Sequence, residues 1–468
     1  MESVSALLHR PHSRILVIGL GYRTGLASAN FLAARDMDVT VSDLKDSQSL
    51  AAITDRLDLS VKTVLGSQDA SLLDRGFDLV VLSPGVPRTI PLVRAVYERG
   101  IPLIAEVELA WHFMKGNWIG ITGTDGKSTT TALTDHILKG LNINSRAGGN
   151  IGIPLVSLVD DSRDHSVTVA ELSSFQLEAI DEFTPDCAAF LNLAPDHLDR
   201  YDSMESYCDA KMRITKNMTA YQTLVYNLDD PVVSARARKA NCSLRSFSLF
   251  NDSADCYFDG FRVLARKNGA LHTVFTEEDV RLPGRHNVAN AMASFLLVDS
   301  YLAQKSDELD VRDFAQILST FRGLPHRLEY VDTVRTVRCI NDSKATSVNA
   351  VRTAADSLTE PAVFIIGGRA KDEDYSLLAD YLRDKASAVV LIGESTERFT
   401  DIFASFTTES ASSMKDAVER AVRLARTGGT VIFSPGCASF DMYADYEERG
   451  RDYVSAVKML KEEASDGS

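Results

Sequence analysis

A glycine-rich turn between an apolar run and a helix-compatible run constrains the fold of this chain more than any other feature. The turn, Gly123-Thr124-Asp125-Gly126-Lys127-Ser128-Thr129, follows residues 118–121 and precedes residues 130–139. A strand, a glycine turn and a helix in this order aim backbone N–H groups and the helix N-terminus at one point, which suits a polyphosphate. Lys127 can reach the terminal phosphates, and Ser128 or Thr129 can ligate Mg²⁺. The segment therefore predicts a parallel α/β layer that binds ATP.

The turn departs at one position from the widespread phosphate-binding pattern G-x-x-x-x-G-K-[ST]. Ile121 stands where that pattern has its first glycine, so T-G-T-x-G-K-S is a tighter and narrower variant. The alternative interpretation is an ordinary glycine turn that carries a surface lysine. We favour the nucleotide site because the strand, the turn, the lysine and the hydroxyls occur together.

A second glycine turn lies near the start of the chain. Arg14–Ile18 is typical of a buried strand, and the turn Gly19-Leu20-Gly21-Tyr22-Arg23-Thr24-Gly25 follows it. An acid, Asp43, ends the next apolar strand, as it does in dinucleotide-binding units. The glycine spacing is G-x-G-x-x-x-G, one residue longer than the usual fingerprint. It therefore predicts a site for a nucleotide diphosphate but does not identify NAD as the ligand. A plain packing turn beside a solvated Asp43 is the alternative.

The composition narrows the class of protein and of partner. The 468 residues include 50 Lys and Arg against 65 Asp and Glu, a net charge of −15, which disfavours binding to nucleic acids or anionic membranes. The six cysteines form no C-x-x-C pair, so reduced thiols in the cytoplasm are expected. The chain has no signal-peptide core and no run of 18 apolar residues. We expect a cytoplasmic monomer with small-molecule substrates.

Strand and helix patterns alternate along most of the chain and predict an α/β protein of three domains. The first, at residues 1–106, is expected to be Rossmann-like. The second, at residues 107–323, is expected to be a parallel sheet like that of P-loop ATPases, with a β-rich addition at residues 243–280. The third, at residues 324–468, is expected to be a further Rossmann-like unit.

Polar residues stand at the ends of apolar strands in the central region. Lys127 lies in its turn, Glu171 follows residues 165–170, and His197 follows residues 187–193. Because ligands bind at the carboxyl edge of an open parallel sheet, these side chains are expected to converge there. Glu171 and His197 could both ligate Mg²⁺. Taken alone, each is more often a cap, an ion pair or a structural hydrogen-bonding residue.

The last third of the chain contains another polar segment. Asn341-Asp342-Ser343-Lys344-Ala345-Thr346 follows an apolar strand, and its density of polar groups suits ribose and phosphate contacts. Arg327, which lies earlier in the sequence, could reach a nucleotide phosphate or stack on adenine. A solvated loop is the alternative for the segment.

Eight ordered strings carry a resemblance to one family. They are GITGTDGKSTT, AGGNIGIPL, ELSSFQLE, APDHLDRY, LPGRHNVANA, GLPHRLE, NDSKAT and SPGCASFDMYADYEERG, and GLGYRTG and SPGV extend the match toward the N-terminus. Together they resemble the ATP-dependent Mur ligases of peptidoglycan synthesis; GLPHR, NDSKAT and CASFD resemble the D-glutamate-adding branch. The resemblance implies that ATP phosphorylates the carboxylate of UDP-N-acetylmuramoyl-L-alanine. The amino group of D-glutamate would then attack the acyl phosphate.

The resemblance also implies roles for individual residues. The implied catalytic residues are Lys127, Lys211, His197 and Asn150. The implied Mg²⁺ ligands are Ser128, Glu171, His197 and Lys211, the last carbamylated by CO₂. The implied ATP contacts outside the turn Gly123 to Thr129 are Asn287, Asn290, Arg327 and Asp342. The implied contacts with the UDP-linked substrate are Gly21, Tyr22, Asp43, Ser83, Pro84, Gly85, Val86 and Asn150. The implied D-glutamate contacts are Lys344, Thr346, Lys371, Ser439 and Phe440.

Some positions depart from the family pattern. Asp125 stands where asparagine is common, so another negative charge lies beside the expected nucleotide. Ser347 replaces a frequent asparagine, and no aspartate stands between Gly368 and Lys371 as it often does in the family. Leu44 is not the hydroxyl residue found beside the uracil in some members.

Three alternatives differ in what they predict. Another ligase of the same superfamily, with a different amino acid or acceptor, would share the phosphate turn and the metal residues. An NAD-dependent dehydrogenase would explain the glycine turn at residues 19–25 but not the phosphate turn at residues 123–129. A catalytically silent nucleotide-binding regulator predicts the loss of a phosphate or metal residue, whereas Lys127, Glu171, His197 and Lys211 are all present.

Overall fold

The computed structural model describes residues 2–150, 152–196, 200–267, 269–282, 284–371 and 373–466. The chain divides into two compact units, Met1–Arg281 with Arg285–Phe321 and Leu282–Gly284 with Arg322–Ser468. The first unit contains two β-sheets and the second contains one. None of the described helices combines the length and the apolar character needed to cross a membrane. The α/β class predicted from the sequence is confirmed.

The first sheet has five strands, all parallel. Its elements in chain order are α1 (Val4–His9), β1 (Arg14–Ile18), α2 (Thr24–Ala33), β2 (Asp38–Asp43), α3 (Ala51–Thr54), β3 (Lys62–Leu65), a 3₁₀ helix (Ala70–Arg75), β4 (Leu79–Leu82), α4 (Pro91–Glu98) and β5 (Leu103–Ala105). The strand order is β3-β2-β1-β4-β5. The order reverses at β1, and ligands bind at the carboxyl edge of such a switch point.

The second sheet has nine strands. The elements in chain order are α5 (Glu106–Phe113), β6 (Asn117–Thr122), α6 (Lys127–Gly140), β7 (Ser145–Gly149), a 3₁₀ helix (Leu155–Asp161), β8 (Val167–Glu171), α7 (Ser174–Glu178), β9 (Cys187–Phe190), α8 (Met204–Met212), a 3₁₀ helix (Arg213–Thr215), β10 (Thr223–Asn227), α9 (Pro231–Ala237), β11 (Ser243–Ser248), β12 (Cys256–Phe258), β13 (Arg262–Lys267), β14 (Ala270–Thr276), a 3₁₀ helix (Glu277–Asp279), α10 (Arg285–Gln304) and α11 (Val311–Leu318). The strand order is β14-β13-β12-β11-β10-β9-β6-β8-β7, and only β12-β13 and β13-β14 pair antiparallel. The predicted β-rich addition is therefore an extension of the same sheet.

Helix α5 joins the first sheet to the second through two buried carboxyl groups. Glu106 accepts a hydrogen bond from the Val156 backbone N–H at 2.8 Å. Glu108 accepts hydrogen bonds from the three backbone N–H groups of residues 181–183 at 2.8–3.1 Å. One apolar cluster includes residues of both sheets and of α5. The first two sheets are thus joined by a shared core and by polar contacts within it.

The third sheet, in the second unit, has six strands. Its elements are β15 (Glu329–Val334), β16 (Val337–Asn341), α12 (Val348–Asp356), β17 (Ala362–Gly367), α13 (Tyr375–Leu382), β18 (Ala386–Ile392), α14 (Thr396–Ile402), β19 (Thr408–Ala411), α15 (Met414–Leu424), β20 (Thr430–Phe433) and α16 (Tyr446–Asp466). The strand order is β15-β16-β20-β17-β18-β19, and only the β15-β16 hairpin is antiparallel. The domain ranges 1–106, 107–323 and 324–468 stay predictions.

Candidate active site

The predicted phosphate turn joins β6 to α6 at the carboxyl edge of the second sheet. Gly126 has a φ of 78°, and a Cβ atom there would lie 2.5 Å from Asn290 Oδ1, so the position requires glycine. Helix α6 begins at Lys127, which places the unpaired N–H groups of its first turn at this point. The Lys127 amine donates to the Thr124 carbonyl oxygen at 2.6 Å. The geometry is that of a phosphate-binding loop at a helix N-terminus.

The segment after β9 holds this turn, a role that sequence reasoning missed. The Asn192 side chain accepts a hydrogen bond from the Asp125 N–H at 2.8 Å and donates to the Asp125 carbonyl oxygen at 3.0 Å. The Asn192 carbonyl accepts from the Thr124 N–H at 3.0 Å. The Thr124 hydroxyl accepts from the Ala194 N–H at 3.0 Å. The available signal was that Asn192 lies two residues after the buried strand β9.

Helix α10 packs against α6 and brings two predicted nucleotide residues to the phosphate turn. The Asn290 Oδ1 atom accepts a hydrogen bond from the Thr130 hydroxyl at 3.2 Å. Its Nδ2 atom donates to Asn287 Oδ1 at 3.1 Å. Both asparagines are buried. They form one hydrogen-bonded group with the first turn of α6.

Lys211, predicted as a catalytic residue and metal ligand, lies on α8 beside the same turn. Its side chain is buried, and its amine donates to the Gly123 carbonyl oxygen at 2.7 Å. The amine also lies 4.5 Å from the centroid of the Tyr207 ring. Burial, together with the positive charge of Lys127, lowers the pKa of Lys211 to about 7. A substantial fraction of this amine is therefore neutral, and nucleophilic, near neutral pH.

Glu171 is the last residue of β8, and only 1% of its surface is exposed to solvent. Oε1 accepts a hydrogen bond from Asn150 Nδ2 at 2.9 Å. Oε2 is buried and has no hydrogen-bond partner within the part of the chain that the structure describes. Such an oxygen is expected to be neutralised by a cation, and Mg²⁺ prefers oxygen ligands. The buried Glu171 carboxylate therefore has the chemistry of a Mg²⁺ ligand, and Ser128, buried on α6, stays a predicted second ligand.

The predicted Mg²⁺ site includes two further ligands, His197 and Lys211. Across the described ranges, no group of three or more His, Cys, Asp and Glu side chains is arranged to hold a metal ion. His197, predicted as a ligand and catalytic residue, lies outside the described residues. Of the predicted ligands, the structure therefore describes one carboxylate, one hydroxyl and the Lys211 amine.

All eight residues predicted to contact the UDP-linked substrate line one cavity of about 600 Å³ in the first unit. They are Gly21, Tyr22, Asp43, Ser83, Pro84, Gly85, Val86 and Asn150. The cavity is formed by the glycine turn after β1, the loop after β4 and the turn after β7. Asn150 therefore both lines this cavity and contacts the Glu171 carboxylate.

Asp43 holds the glycine turn from the end of β2. Its carboxylate accepts hydrogen bonds from the Leu20 N–H at 2.7 Å and from the Lys45 N–H at 2.9 Å. A Cβ atom on Gly25 would lie 2.1 Å from the Gly19 carbonyl oxygen, so the turn requires glycine where α2 starts. Asp43 is therefore hydrogen-bonded to the backbone, and the alternative interpretation of a solvated Asp43 is wrong.

The polar segment after β16 is a hydrogen-bonded turn in the second unit rather than a solvated loop. Asp342 is buried and accepts hydrogen bonds from the Ser434 hydroxyl at 2.8 Å and the Leu328 N–H at 3.2 Å. Burial raises the pKa of Asp342 to about 7. The Lys344 amine donates to the Tyr446 hydroxyl at 3.3 Å and lies 4.8 Å from the centroid of that ring.

Two residues predicted to contact D-glutamate are hydrogen-bonded to each other. Sequence reasoning missed Arg449, which binds backbone groups of the neighbouring loops. The Lys371 amine donates to the Thr346 hydroxyl at 3.3 Å. Arg449, buried on α16, donates to the Ser343 hydroxyl at 3.1 Å, to the Ser343 carbonyl at 2.8 Å and to the Cys437 carbonyl at 3.1 Å. Arg449 thus joins the turn after β16 to the loop after β20.

Three other predicted residues of this unit have distinct surroundings. Ser439 is buried in the loop after β20, and the neighbouring Phe440 is 64% exposed. Arg327 is half-buried before β15, and its charge acts on the Asp342 carboxyl. An exposed aromatic ring beside buried polar groups is compatible with a ligand surface.

Fold and site together define a class of protein: an α/β nucleotide-binding protein with a phosphate loop, a buried lysine and a buried carboxylate at one sheet edge. Three family models match in succession: the N-terminal domain of MurD-like Mur ligases at residues 13–105, the Mur ligase middle domain at 121–298, and the glutamate ligase domain of Mur ligases at 326–437. The chain belongs to the Mur ligase family. It is therefore an ATP-dependent ligase that forms amide bonds, and the resemblance found in the sequence is confirmed.

Named relatives cover almost the whole chain. The UDP-N-acetylmuramoylalanine–D-glutamate ligase of Geobacter sp. (strain M21) is 40% identical over 456 residues, 96% of this chain and 98% of that protein. The protein of the same name from Acidobacterium capsulatum is 37% identical over 448 residues, 95% of this chain and 96% of that protein.

Solved structures of the family share the fold at low sequence identity. The UDP-N-acetylmuramate–alanine ligase of Thermotoga maritima has a TM-score of 0.56 at 20% identity, covering 96% of this chain and 100% of that chain. The MurF ligase of Thermotoga maritima, in complex with ADP, has a TM-score of 0.53 at 16% identity, covering 99% of each chain. At these identities the likeness shows the fold alone.

Proposed function

We propose that this chain joins D-glutamate to UDP-N-acetylmuramoyl-L-alanine with ATP, in the cytoplasmic synthesis of peptidoglycan precursors. The identity with relatives that bear this activity in their name supports the choice of substrates. The acidic net charge and the six free cysteines suit a cytoplasmic enzyme without nucleic-acid or membrane partners, and we propose a monomer.

One observation carries the proposal. The phosphate loop, the buried Lys211 amine and the Glu171 carboxylate lie together at the carboxyl edge of the second sheet, and Asn150 connects Glu171 to the 600 Å³ cavity. A substrate held in that cavity by a nucleotide diphosphate could extend its far end past Asn150 toward the phosphate loop. The transfer of a phosphoryl group from ATP to a carboxylate needs this juxtaposition.

The loop residues position ATP and screen its charge. The N–H groups at the start of α6 bind phosphate oxygens, and Lys127 exchanges its contact with the Thr124 carbonyl for the terminal phosphates. Asn192 keeps the loop in shape on its other side. ATP supplies the phosphoryl group that turns the substrate carboxylate into an acyl phosphate, a leaving group that the bare carboxylate lacks.

Glu171, and Lys211 once it carries a carbamate, would provide the negative charge that a cation near the phosphates requires. Mg²⁺ held by Glu171 and Ser128, with His197 as a further proposed ligand, would neutralise charge on the transferred phosphoryl group. Because the pKa of Lys211 is lowered to about 7, its neutral amine can add to CO₂, forming an N–C bond and releasing a proton. The resulting carbamate is an anionic oxygen ligand in place of a cation. We propose this state for the active enzyme.

The second unit supplies residues suited to the incoming amino acid. Lys344 and Lys371 offer two cationic groups for the two carboxylates of D-glutamate, with the Thr346 hydroxyl bonded to Lys371. Ser439 and Phe440 complete the proposed pocket, and Arg449 fixes the two loops that carry it. Asp342 and Arg327 are proposed to contact ATP.

Phosphate release tests the proposal. The protein is incubated with ATP, Mg²⁺ and UDP-N-acetylmuramoyl-L-alanine, and D-glutamate, L-glutamate, L-alanine and L-lysine are compared. We expect release with D-glutamate alone and an amide product by mass spectrometry. Release with another amino acid would retain the ligase mechanism and overturn the pocket assignment. A protein that binds ATP but releases no phosphate with any of them would refute the proposed reaction.

A further inference from the structure

Arg23, in the glycine turn after β1, makes contacts that the proposed function does not use. Arg23 lies within G-x-G-x-x-x-G, the spacing that is one residue longer than the usual fingerprint. Its guanidinium donates to the Gly152 carbonyl at 2.6 Å, to the Asn150 carbonyl at 3.2 Å and to the Gly149 carbonyl at 3.4 Å. One side chain of the first sheet thus binds three carbonyl groups of the turn after β7.

That turn carries a residue central to the candidate site. The Asn150 N–H donates to the Glu171 carbonyl oxygen at 2.8 Å, and the Asn150 side chain donates to Glu171 Oε1 at 2.9 Å. The orientation of the Glu171 carboxylate therefore depends on where the Asn150 backbone lies. A continuous series of contacts runs from the guanidinium of Arg23 through Asn150 to Glu171.

The guanidinium geometry favours a positioning role over direct binding of a ligand. Three N–H groups of Arg23 are used by the carbonyls of residues 149, 150 and 152. Carbonyl oxygens that converge on one point require a planar fork of donors, which arginine provides and lysine does not. Arg23 also lines the 600 Å³ cavity together with Asn150, so the contact lies in the cavity wall.

We propose that Arg23 is a positioning residue that fixes the turn carrying Asn150, and through it the Glu171 carboxylate, relative to the cavity of the first sheet. The kinetic part of the test rests on the proposed function, whereas the part that measures the turn itself does not.

The kinetic test compares Arg23→Ala and Arg23→Lys with the wild-type enzyme. We expect the KM for UDP-N-acetylmuramoyl-L-alanine to rise about tenfold in Arg23→Ala, as expected for lost hydrogen bonds to a charged group, while the KM for D-glutamate stays unchanged. Arg23→Lys, which keeps the charge without the fork, should be nearly as impaired. Millimolar guanidinium should restore part of the activity of Arg23→Ala but not of Arg23→Lys. Equal increases in both KM values would overturn the proposal.

Asp160→Asn is the matched control. It removes the ion pair of Asp160 with Arg35 at 2.7 Å, another contact between the first sheet's helical layer and the second sheet's loops. That pair does not involve the turn of residues 149–152. The variant should therefore retain both KM values. A change like that of Arg23→Ala would show a general effect of loosening the two layers and would refute a specific role of Arg23.

Hydrogen exchange tests the turn without reference to catalysis. In Arg23→Ala, peptides covering residues 149–153 should exchange several-fold faster than in the wild type, and Asp160→Asn should not alter them. If Arg23→Ala does not fold, Arg23→Lys supplies the same comparison. Wild-type protein that releases no phosphate with D-glutamate would refute the proposed function alone. Unchanged exchange in folded Arg23 variants would refute the positioning role whatever the reaction is.

Discussion

Replacement of Glu106 by glutamine should make the protein more stable at alkaline pH and leave it unchanged at acid pH. Glu106 begins α5, is 1% exposed and accepts a hydrogen bond from the Val156 N–H. Burial raises the pKa of this carboxyl from 4.5 to about 7, because the charged form is poorly solvated there. Glutamine keeps the oxygen that accepts the hydrogen bond and never carries a charge.

The magnitude follows from the two pKa values. A folded pKa of about 7 against 4.5 for the unfolded chain corresponds to about 3 kcal/mol, at roughly 1.36 kcal/mol per pKa unit. The folded state binds the proton more tightly, so the wild type is most stable below the unfolded pKa and loses stability as the pH rises through 7. The free energy of unfolding of Glu106→Gln, relative to wild type, should therefore rise by about 2.5 kcal/mol between pH 5 and pH 8.

Urea unfolding followed by tryptophan fluorescence is the assay. Both tryptophans of the chain report on this region, since Trp111 lies on α5 with Glu106 and Trp118 lies on β6. Glu98→Gln, which changes an exposed carboxyl on α4, is the control for the loss of one negative charge. If the free energy of unfolding of Glu106→Gln differed from that of the wild type by the same amount at every pH from 5 to 8, the Glu106 carboxyl would not titrate in this range. The reasoning would then be wrong.

Three further predictions concern the phosphate loop and α5. Lys127→Ala should weaken ATP binding at least about tenfold by calorimetry, whereas Lys139→Ala, at the far end of α6, should leave it unchanged; equal affinities would remove Lys127 from the site. Gly126→Ala should abolish ATP-dependent phosphate release because its Cβ would lie 2.5 Å from a side-chain oxygen, while Gly428→Ala, which has nearly the same φ (77° against 78°) but open space around its Cβ, should retain it. Glu108→Gln leaves backbone N–H groups without an acceptor and should lower the free energy of unfolding by about 1–3 kcal/mol, which an unchanged urea midpoint would contradict.

The strands that were predictable from the sequence are those buried on both faces. Arg14–Ile18 was located to the residue, because a continuous apolar run is what a central parallel strand requires. Ser145–Gly149 was missed. Its small and polar residues have little intrinsic preference for a strand, and its conformation depends on pairing with β8, which local pattern does not reveal.

Some residues of the candidate site were also predictable from the sequence, and others were not. Lys127 and Glu171 were predictable because Lys127 lies in the glycine turn that follows one apolar strand and Glu171 lies at the carboxyl end of another. Asn192, Arg23 and Arg449 were not singled out, since each binds at least one partner 67 to 129 residues away in the chain. A side chain that binds distant backbone groups has no local signature. Sequence reasoning therefore finds polar groups at the ends of strands more readily than the residues that hold those groups in place.

Helix α5 limits how the chain can be divided or recombined. The family matches end at residue 105 and resume at residue 121, so α5 belongs to neither matched segment. A cut after Phe113 would separate the two carboxyl groups from the N–H groups of Val156 and residues 181–183. A cut before Glu106 would uncover the apolar cluster that α5 shares with the first sheet. The first sheet is therefore not an interchangeable module, and chimeras that exchange it between relatives should include α5 and the loops that it contacts.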